Sequence, residues 1–329
     1  MLVSIVILSY NRPKQIERIL DGFWGINSND FNIIIKDDVS PEISSIRNIY
    51  NKYKAKLGVE LLLHENTENM GYDRNLITSF DITESNYVYL LSDDDYIVGG
   101  DFFQIIDEIK HTKKTFYISP YREGISVRRN FSAENYGRDY PIEHLIYNSI
   151  LFSGLVFDRS KVLSLDLDRN FLAHCIYTQV YLSVALYLEF NDFGTFNISC
   201  LVLGGDGENF FGKNQSAVNS EVLKDRESIV ANLKYQVFLR KVIFNLSSRY
   251  GEEVYSVFNK EYAKRLVGYS LKCRAIDLST YKSFIDVLAS SGINKGFFVN
   301  VTLFLVKIVP KRVCRAILEV GVNRYRKSG

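Results

Sequence analysis

Apolar and polar positions alternate in blocks along the N-terminal part of the chain. Leu2 to Leu8 is a β-branched run, broken by Ser9-Tyr-Asn-Arg-Pro13 before apolar residues return with helical spacing at Ile16, Ile19, Leu20 and Phe23. The same order of strand, polar loop and helix recurs. Phe31 to Ile35 is followed by Lys36-Asp-Asp-Val-Ser-Pro41 and then by Ile43, Ile46, Ile49, Tyr50 and Tyr53. Val59 to Leu63 is followed by His64-Glu-Asn-Thr-Glu-Asn-Met-Gly71 and a helix around Arg74 to Phe80. A further apolar run, Tyr87-Val-Tyr-Leu-Leu91, ends abruptly in Asp93, Asp94 and Asp95. Strands alternating with helices predict right-handed crossovers and an α/β fold, with a mostly parallel sheet and helices on both faces. Each polar loop follows a strand. Ser9, Asp37, Asp38, the Asn69-Met-Gly71 turn and Asp93 to Asp95 should therefore gather along one edge, where open α/β sheets bind ligands.

Downstream, Thr115 to Ser119 and Leu151 to Phe157 read as strands. The polar stretch between them holds Arg122, Arg128, Arg129 and Arg138, either anion contacts or a solvated loop. A helix is expected from about Phe171 to Phe190, with His174, Thr178 and Tyr181 on one face. A strand-like Thr195 to Leu203 then runs into Gly204-Gly-Asp-Gly-Glu-Asn-Phe-Phe-Gly212, whose glycines suit either a lid or a hinge between domains. From Val218 onward the pattern is helical: about 219–249, 252–273, 279–290, and two more helices after Gly296. The expected organisation is a catalytic domain over 1–205, a linker over 206–217, a helical region over 218–292 and a tail over 293–329.

Composition narrows the function. A chain of 329 residues, 47% hydrophobic, can bury a large core. Its formal net charge of +2 argues against nucleic acid as an obligate partner. Cys175, Cys200, Cys273 and Cys314 lack metal-ligand spacing and read as reduced core thiols. The N-terminus, lacking a basic segment and a cleavage site, reads as a first strand and not as a leader. The tail from Ile293 carries Lys295, Lys307, Lys311, Arg312, Arg315, Arg324, Arg326 and Lys327 against Glu319 alone, preceded by the apolar Phe297 to Val306. An apolar helix followed by a basic amphipathic one suits an interfacial membrane anchor, or else an oligomerisation helix.

Three adjacent carboxylates repel one another, so the cluster at Asp93 to Asp95 suits open solvent or a hard divalent cation. No GxGxxG or Walker A motif follows the first strand, which disfavours dinucleotide oxidoreductases and P-loop enzymes. A diphosphate could approach the cluster only with a divalent cation between the two. The carboxylates therefore predict metal and phosphates together.

Val3-Ser-Ile-Val-Ile-Leu-Ser-Tyr-Asn-Arg-Pro13, Ile35-Lys-Asp-Asp-Val-Ser40, Asn69-Met-Gly-Tyr-Asp-Arg-Asn75 and Leu91-Ser-Asp-Asp-Asp95, in this order, resemble the family 2 glycosyltransferases with a GT-A fold. Within the family they are most similar to bacterial enzymes of O-antigen and capsular polysaccharide synthesis, including the abequosyltransferase-like group. The resemblance is specific over about residues 1–110, loose over 111–205, and absent from the helical tail. It implies transfer of a hexosyl or deoxyhexosyl group from a nucleotide-diphosphate sugar to a lipid-linked saccharide, usually with inversion. The setting it implies is the cytoplasmic face of the inner membrane. Carried over by position, Ser9, Tyr10, Asn11, Arg12, Asp37, Asp38, Asn69, Gly71, Arg74, Asn75 and Asp93 would contact the nucleotide-sugar, with Asp38 on the base. Asp94 and Asp95 would hold Mg²⁺ or Mn²⁺. Ser92 stands where the first Asp of the family's DxD motif is common, unless the motif slides to Asp93-Asp-Asp95. The family's Glu-Asp pair at the acceptor-side helix is replaced by Tyr177-Thr178, neither of which is a base at neutral pH. His174 is the candidate base, a side chain type that exchanges protons near neutrality, with Asp168 and Asp166 the nearest carboxylate alternatives. Rival readings are a metal-dependent nucleotidyltransferase, which should show a basic Gly-rich loop after the first strand, and a non-catalytic membrane-bound scaffold of the same fold.

Overall fold

The computed structural model describes residues 1–129, 140–204, 226–290 and 296–318. The chain divides into two compact units, Met1–Gly207 and Glu208–Gly329. In the first unit the elements run β1 (Val3–Ser9), α1 (Pro13–Asp21), β2 (Asn27–Asp37), α2 (Ile43–Lys54), β3 (Gly58–Glu65), α3 (Gly71–Ile77), α4 (Ser79–Ile82), β4 (Tyr87–Ser92), β5 (Tyr96–Ile97), α5 (Gly99–Thr112), β6 (Phe116–Ile118), β7 (Tyr121–Glu123) and β8 (Ser126–Arg128). They continue with α6 (Ile142–Asn148), β9 (Leu155–Asp158), α7 (Arg159–Ser164), α8 (Arg169–Leu172), α9 (Thr178–Phe190), β10 (Gly194–Thr195) and β11 (Leu201–Val202). This is an α/β fold. A seven-stranded sheet has the order β10-β6-β9-β4-β1-β2-β3, and a four-stranded sheet the order β5-β11-β7-β8.

The neighbours β4, β1, β2 and β3 are all parallel, whereas β9 enters antiparallel between β4 and β6. Side chains alternate between the two faces of the sheet. Val3, Ile5 and Ile7 of β1 join Phe31, Ile33 and Ile35 of β2 and Tyr89 and Leu91 of β4 in one core, closed by Ile16 and Leu20 of α1 and Phe102 and Ile106 of α5. At its centre Phe102 meets Phe31 at 5.0 Å and Tyr89 at 5.4 Å, both edge-on, the arrangement ring quadrupoles favour. On the opposite face Phe80 meets Phe157 edge-on, and α9 lies buried from Thr178 to Tyr187.

Two expected elements are corrected. The single helix from Phe171 to Phe190 is two helices, because Ile176 takes a left-handed φ of 65° between α8 and α9. The break is held by a buried carboxylate of α3: Asp73 accepts from the Ile176 amide at 2.7 Å and the Thr178 hydroxyl at 2.8 Å. His174 therefore lies in the connecting turn and shares no helical face with Thr178 and Tyr181. The strand expected from Thr195 to Leu203 is likewise split between the two sheets. β10 pairs with β6, and β11 pairs with β5 and β7.

The second unit holds α10 (Arg226–Tyr250), α11 (Glu252–Ile276), α12 (Leu278–Ser290) and α13 (Gly296–Ile308), with helical backbone again at 311–318. Leu239, Val242, Phe258, Tyr262 and Phe284 are buried in it. Leu303 and Val306 turn α13 inward, and the Tyr281 hydroxyl donates to the Leu303 carbonyl. The opposite stripe of α13 is exposed: Phe297 (75%), Val301 (41%), Phe304 (61%), Leu305 (49%) and Ile308 (64%). Among the described residues no helix is long and apolar enough to cross a membrane. The expected linker at 206–217, together with Arg138, Lys295, Glu319, Arg324, Arg326 and Lys327, lies outside the described residues.

Candidate active site

The parallel register makes the strand ends level. Ser9 pairs with Asp37, Asp37 with Glu65, and Leu8 with Ser92, so the loops after β1, β2, β3 and β4 emerge along one edge. The three aspartates after β4 then diverge. Asp93 turns toward the β1 loop, accepting from the Tyr10 amide at 2.9 Å and from Arg12 Nη1 at 3.0 Å. The same Nη1 stands 3.1 Å from Asp94, whose carboxylate also accepts from the Ser92 hydroxyl and whose side chain is 30% exposed. Asp95 is buried and accepts from the Gly204 amide at 3.2 Å and from the Ser153 hydroxyl.

Burial pushes the Asp93 carboxyl up to about 7 against the opposing pull of Arg12 and the Tyr10 amide. Burial, with the Asp94 charge beside it, likewise pushes Asp95 up to about 7. Gly204 reaches this cluster because β11 pairs antiparallel with β5, setting Val202 opposite Tyr96 and carrying the chain back along Asp94. A Cβ on Gly204 would stand 1.8 Å from the Asp94 carbonyl oxygen, so only glycine fits.

The donor set is hard oxygen, and a guanidinium already lies between two of the carboxylates, so the residues fit a hard divalent cation. Among the described residues no group of three or more metal-ligating side chains converges. Such a cation would be held by one or two carboxylates, Asp94 with Asp93 or Asp95, and would complete its shell with phosphate and water, the usual manner of Mg²⁺.

Around the β2 end the carboxylates serve the loops. Asp38 accepts from the Met70 and Gly71 amides at 2.7 and 2.8 Å and from Asn66 Nδ2 at 2.8 Å, while Asn69 Nδ2 donates to the Asp38 carbonyl. Asp37 accepts the Ser40 amide and hydroxyl, and Ser40 in turn accepts the Asn11 amide at 2.7 Å. Asn75 is buried, with its Oδ1 accepting from Asn66 at 2.9 Å and from Lys36 Nζ at 2.6 Å. Asp37 and Asn75, expected to contact a nucleotide, are thus turned into the protein. Arg74 sits on the surface paired with Glu68. The buried Ser9 hydroxyl has no hydrogen-bond partner among the described residues.

The three candidate bases lie in different places. His174 is exposed in the turn before α9, within electrostatic reach of Asp73, whose carboxyl burial pushes up. Asp168 is exposed and caps α8, accepting the Phe171 amide at 3.0 Å. Asp166 lines a groove with Ile77, Phe80 and Arg169, by the end of α3 away from Gly71. His174 is tied, through Asp73, to the helix whose start Asp38 holds. Of the expected arginines, Arg129 is half-buried over the Tyr121 ring, donating to the Leu151 and Ser153 carbonyls. Sequence reading missed Asp73 and Lys36. The available signal was a lysine ending the apolar Ile33-Ile-Ile35 run and an acid in the first turn of α3.

Residues 4–162 match the model of glycosyl transferase family 2. Over this stretch, just under half of its length, the chain is similar to that family. Abequosyltransferase RfbV of Salmonella typhimurium is 23% identical over 125 residues, 37% of this chain and 37% of that protein. Poly(ribitol-phosphate) beta-N-acetylglucosaminyltransferase TarP of Staphylococcus aureus is 24% identical over 170 residues, 49% of this chain and 51% of the relative. The chain thus spans about half or less of the curated relatives it matches. In fold it is similar to S. aureus TarS 1-349 in complex with UDP-GlcNAc, at a TM-score of 0.53 and 13% identity over 88% of this chain and 92% of that one. It is also similar to mannosyltransferase PcManGT from Pyrobaculum calidifontis in complex with GDP-Man and Mn²⁺, at 0.54 and 14% over 94% and 82%.

Within the first unit Lys36 is the least expected charge. It is 1% exposed, donates to the Asn75 carbonyl, Asn75 Oδ1 and Thr78 hydroxyl at 2.6 to 2.7 Å, and is lowered by burial from 10.5 to about 8. Between pH 8 and 10.5 the unfolded chain holds this proton and the folded one does not, so this group makes stability rise with pH across that window. Lys36→Met should be less stable by about 2 to 4 kcal/mol at pH 7, since three acceptors lose their donor. The gap in urea denaturation midpoints should widen toward pH 10.

Proposed function

We propose that the chain is a glycosyltransferase that moves a hexosyl or deoxyhexosyl group from a nucleotide-diphosphate sugar to a lipid-linked saccharide, with inversion, in bacterial surface polysaccharide synthesis. The observation that carries this reading is the level strand edge of a family 2 domain, which sets Ser9, the Asp38-held turn and Asp93 to Asp95 side by side. The nucleoside lies against Ser9, Asn11 and the Asn69 to Gly71 turn. The diphosphate faces Asp94. A bound Mg²⁺ or Mn²⁺ supplies charge neutralisation for the diphosphate leaving group. Tyr10 and Arg12 orient Asp93, Asp38 holds the turn in place, and the His174 imidazole takes the proton from the acceptor hydroxyl.

Calorimetry with UDP, GDP, CDP and dTDP plus Mn²⁺ should find one nucleotide that binds, and binding by none would sink the reading. Asp94→Asn should lose nucleotide-sugar binding or turnover while keeping its denaturation midpoint, because removing one of several repelling carboxylates relieves the cluster. Wild-type turnover by this variant would move the site elsewhere.

For the base, His174→Ala should lower turnover about 10²- to 10⁴-fold with donor affinity unchanged. Normal turnover there, with loss in Asp168→Ala, would hand the role to that carboxylate.

Peripheral attachment to an anionic lipid surface belongs to the same reading. The exposed stripe from Phe297 to Ile308 continues into exposed Val313 and Ile317, with Lys307, Lys311, Arg312 and Arg315 exposed beside it. Apolar insertion and attraction to anionic headgroups add on such a helix, each cation contributing about 1 kcal/mol. The full chain should co-sediment with vesicles containing phosphatidylglycerol, less so at high salt, and Phe304→Ser with Ile308→Ser should weaken this at least about tenfold. Indifference to vesicles, with a discrete oligomer that the double variant breaks, would make the stripe a subunit interface.

A further inference from the structure

The second unit carries a groove of its own, walled by α12 and α13. It encloses about 410 Å³, within the range of roughly 300–1,000 Å³ that takes small ligands. Tyr281 and Leu303, 3% and 4% exposed, are its buried lining, and the Tyr281 hydroxyl is already spent on the Leu303 carbonyl. What they offer the groove is therefore apolar. Ile285 and Phe304 add to that surface, and the exposure of Phe304 leaves the groove open to solvent.

The two helices run in opposite directions. Arg274, just before α12 begins, donates to the Lys307 carbonyl at 3.3 Å, whereas Tyr281 in the first turn of α12 meets Leu303, one turn back along α13. This sorts the charged lining residues. Lys282 and Lys307, both exposed, stand at the end where α12 starts, and Asp286 lies one turn further along α12, toward Asn300. Arg315 adds a cation to the lysine end, where its Nε donates to the Ala275 carbonyl at 3.1 Å, and Lys311 lies within electrostatic reach of Asp277. Asp277 is the carboxylate among these cations, and it is engaged in capping α12 through the Thr280 amide at 2.7 Å.

We infer that this groove binds one phosphate-headed membrane lipid, with its hydrocarbon chain along Tyr281, Ile285, Leu303 and Phe304 and its phosphate at Lys282 and Lys307. Such binding is distinct from adsorption of the exposed stripe and does not require the nucleotide-sugar reading. Covering the apolar walls removes them and the chain from water, a gain that has no direction. Charge supplies the direction: a phosphate is attracted at the lysine end and repelled at the Asp286 end, so one orientation is favoured. The lysine stems can lie along the chain while their ammonium groups reach the head. Phe304 belongs both to the groove and to the stripe it shares with Val301, Leu305 and Ile308, so a lipid beneath that stripe has a continuous apolar path inward.

Calorimetry of the full chain with dodecyl phosphate, kept below its critical micelle concentration so that no surface forms, reads the groove apart from vesicle attachment. Wild type should bind one equivalent, and monomeric dodecyl maltoside, with the same chain and a neutral head, should bind at least about tenfold more weakly. Inorganic phosphate at equal concentration should not displace the lipid. Lys282→Glu with Lys307→Glu should weaken dodecyl phosphate at least about tenfold and leave the maltoside affinity unchanged. Ile285→Trp, which fills the groove, should weaken both; if it does not fold, the lysine pair carries the test. No binding of dodecyl phosphate, equal binding of the two heads, or unchanged affinity in the lysine pair would overturn the inference. Full displacement by inorganic phosphate would overturn it as well, leaving a site for a free anion. If monomeric dodecyl phosphate binds while phosphatidylglycerol vesicles do not, the lipid site stands and peripheral attachment falls. The reverse outcome keeps attachment and removes the lipid site.

Discussion

The hydrogen-bond register of four parallel strands is the constraint on which the rest of the first unit depends. Because β1 pairs with β2 and β4 without offset at their C-terminal ends, the peptide after each strand leaves the sheet at the same height. A slip of one residue would swap the two faces of a strand, moving Phe31, Ile33 and Ile35 out of the core they share with β1 and β4, so the apolar core locks the register. The site is a by-product of that lock. Loops far apart in sequence, at Ser9, Asp38 and Asp93, are neighbours because their strands are.

What fills that edge is a set of buried charges, each tied to backbone. Asp38 holds the start of α3, Lys36 holds its end through Asn75 and Thr78, and Asp73 reaches from α3 to shape the turn before α9. Burying a charge is unfavourable unless it is hydrogen-bonded, and each of these makes at least two such bonds. The short helix α3 thereby connects the Asp38 side of the edge to the turn that carries His174. Its own hydrophobic contacts would hardly fix a helix of this length, so the polar ties set its position.

The second sheet answers a different need. The chain after Asp95 must leave the crowded strand end, and β5 does so by pairing with β11 instead of with the main sheet. That antiparallel pair returns Gly204 to the back of Asp94, where a backbone amide supplies Asp95 with a donor and any side chain would collide. Three carboxylates made adjacent by covalent geometry are thus distinguished by what each is given: Arg12 and the Tyr10 amide to Asp93, the same arginine with the Ser92 hydroxyl and solvent to Asp94, and a hydroxyl and the Gly204 amide to Asp95.

Patterning alone determined the β1 to β4 repeats, the shared edge and the helical character of α10 to α13, because burial of apolar faces at periods of two and 3.6 residues is local information. The acidic strand end was equally legible, as three adjacent aspartates are visible in any register. What only tertiary structure decided was the direction of each polar side chain. Asp37 and Asn75 look like ligand contacts in one dimension, yet they turn inward because Ser40, Asn66 and Lys36 reach them from other elements. The helix through His174 broke for the same kind of reason. Its sequence permits continuous helix, but Asp73, 103 residues from Ile176, offers that amide a stronger acceptor. Secondary-structure propensity is worth tenths of a kilocalorie per residue, and a buried carboxylate demanding donors outweighs it.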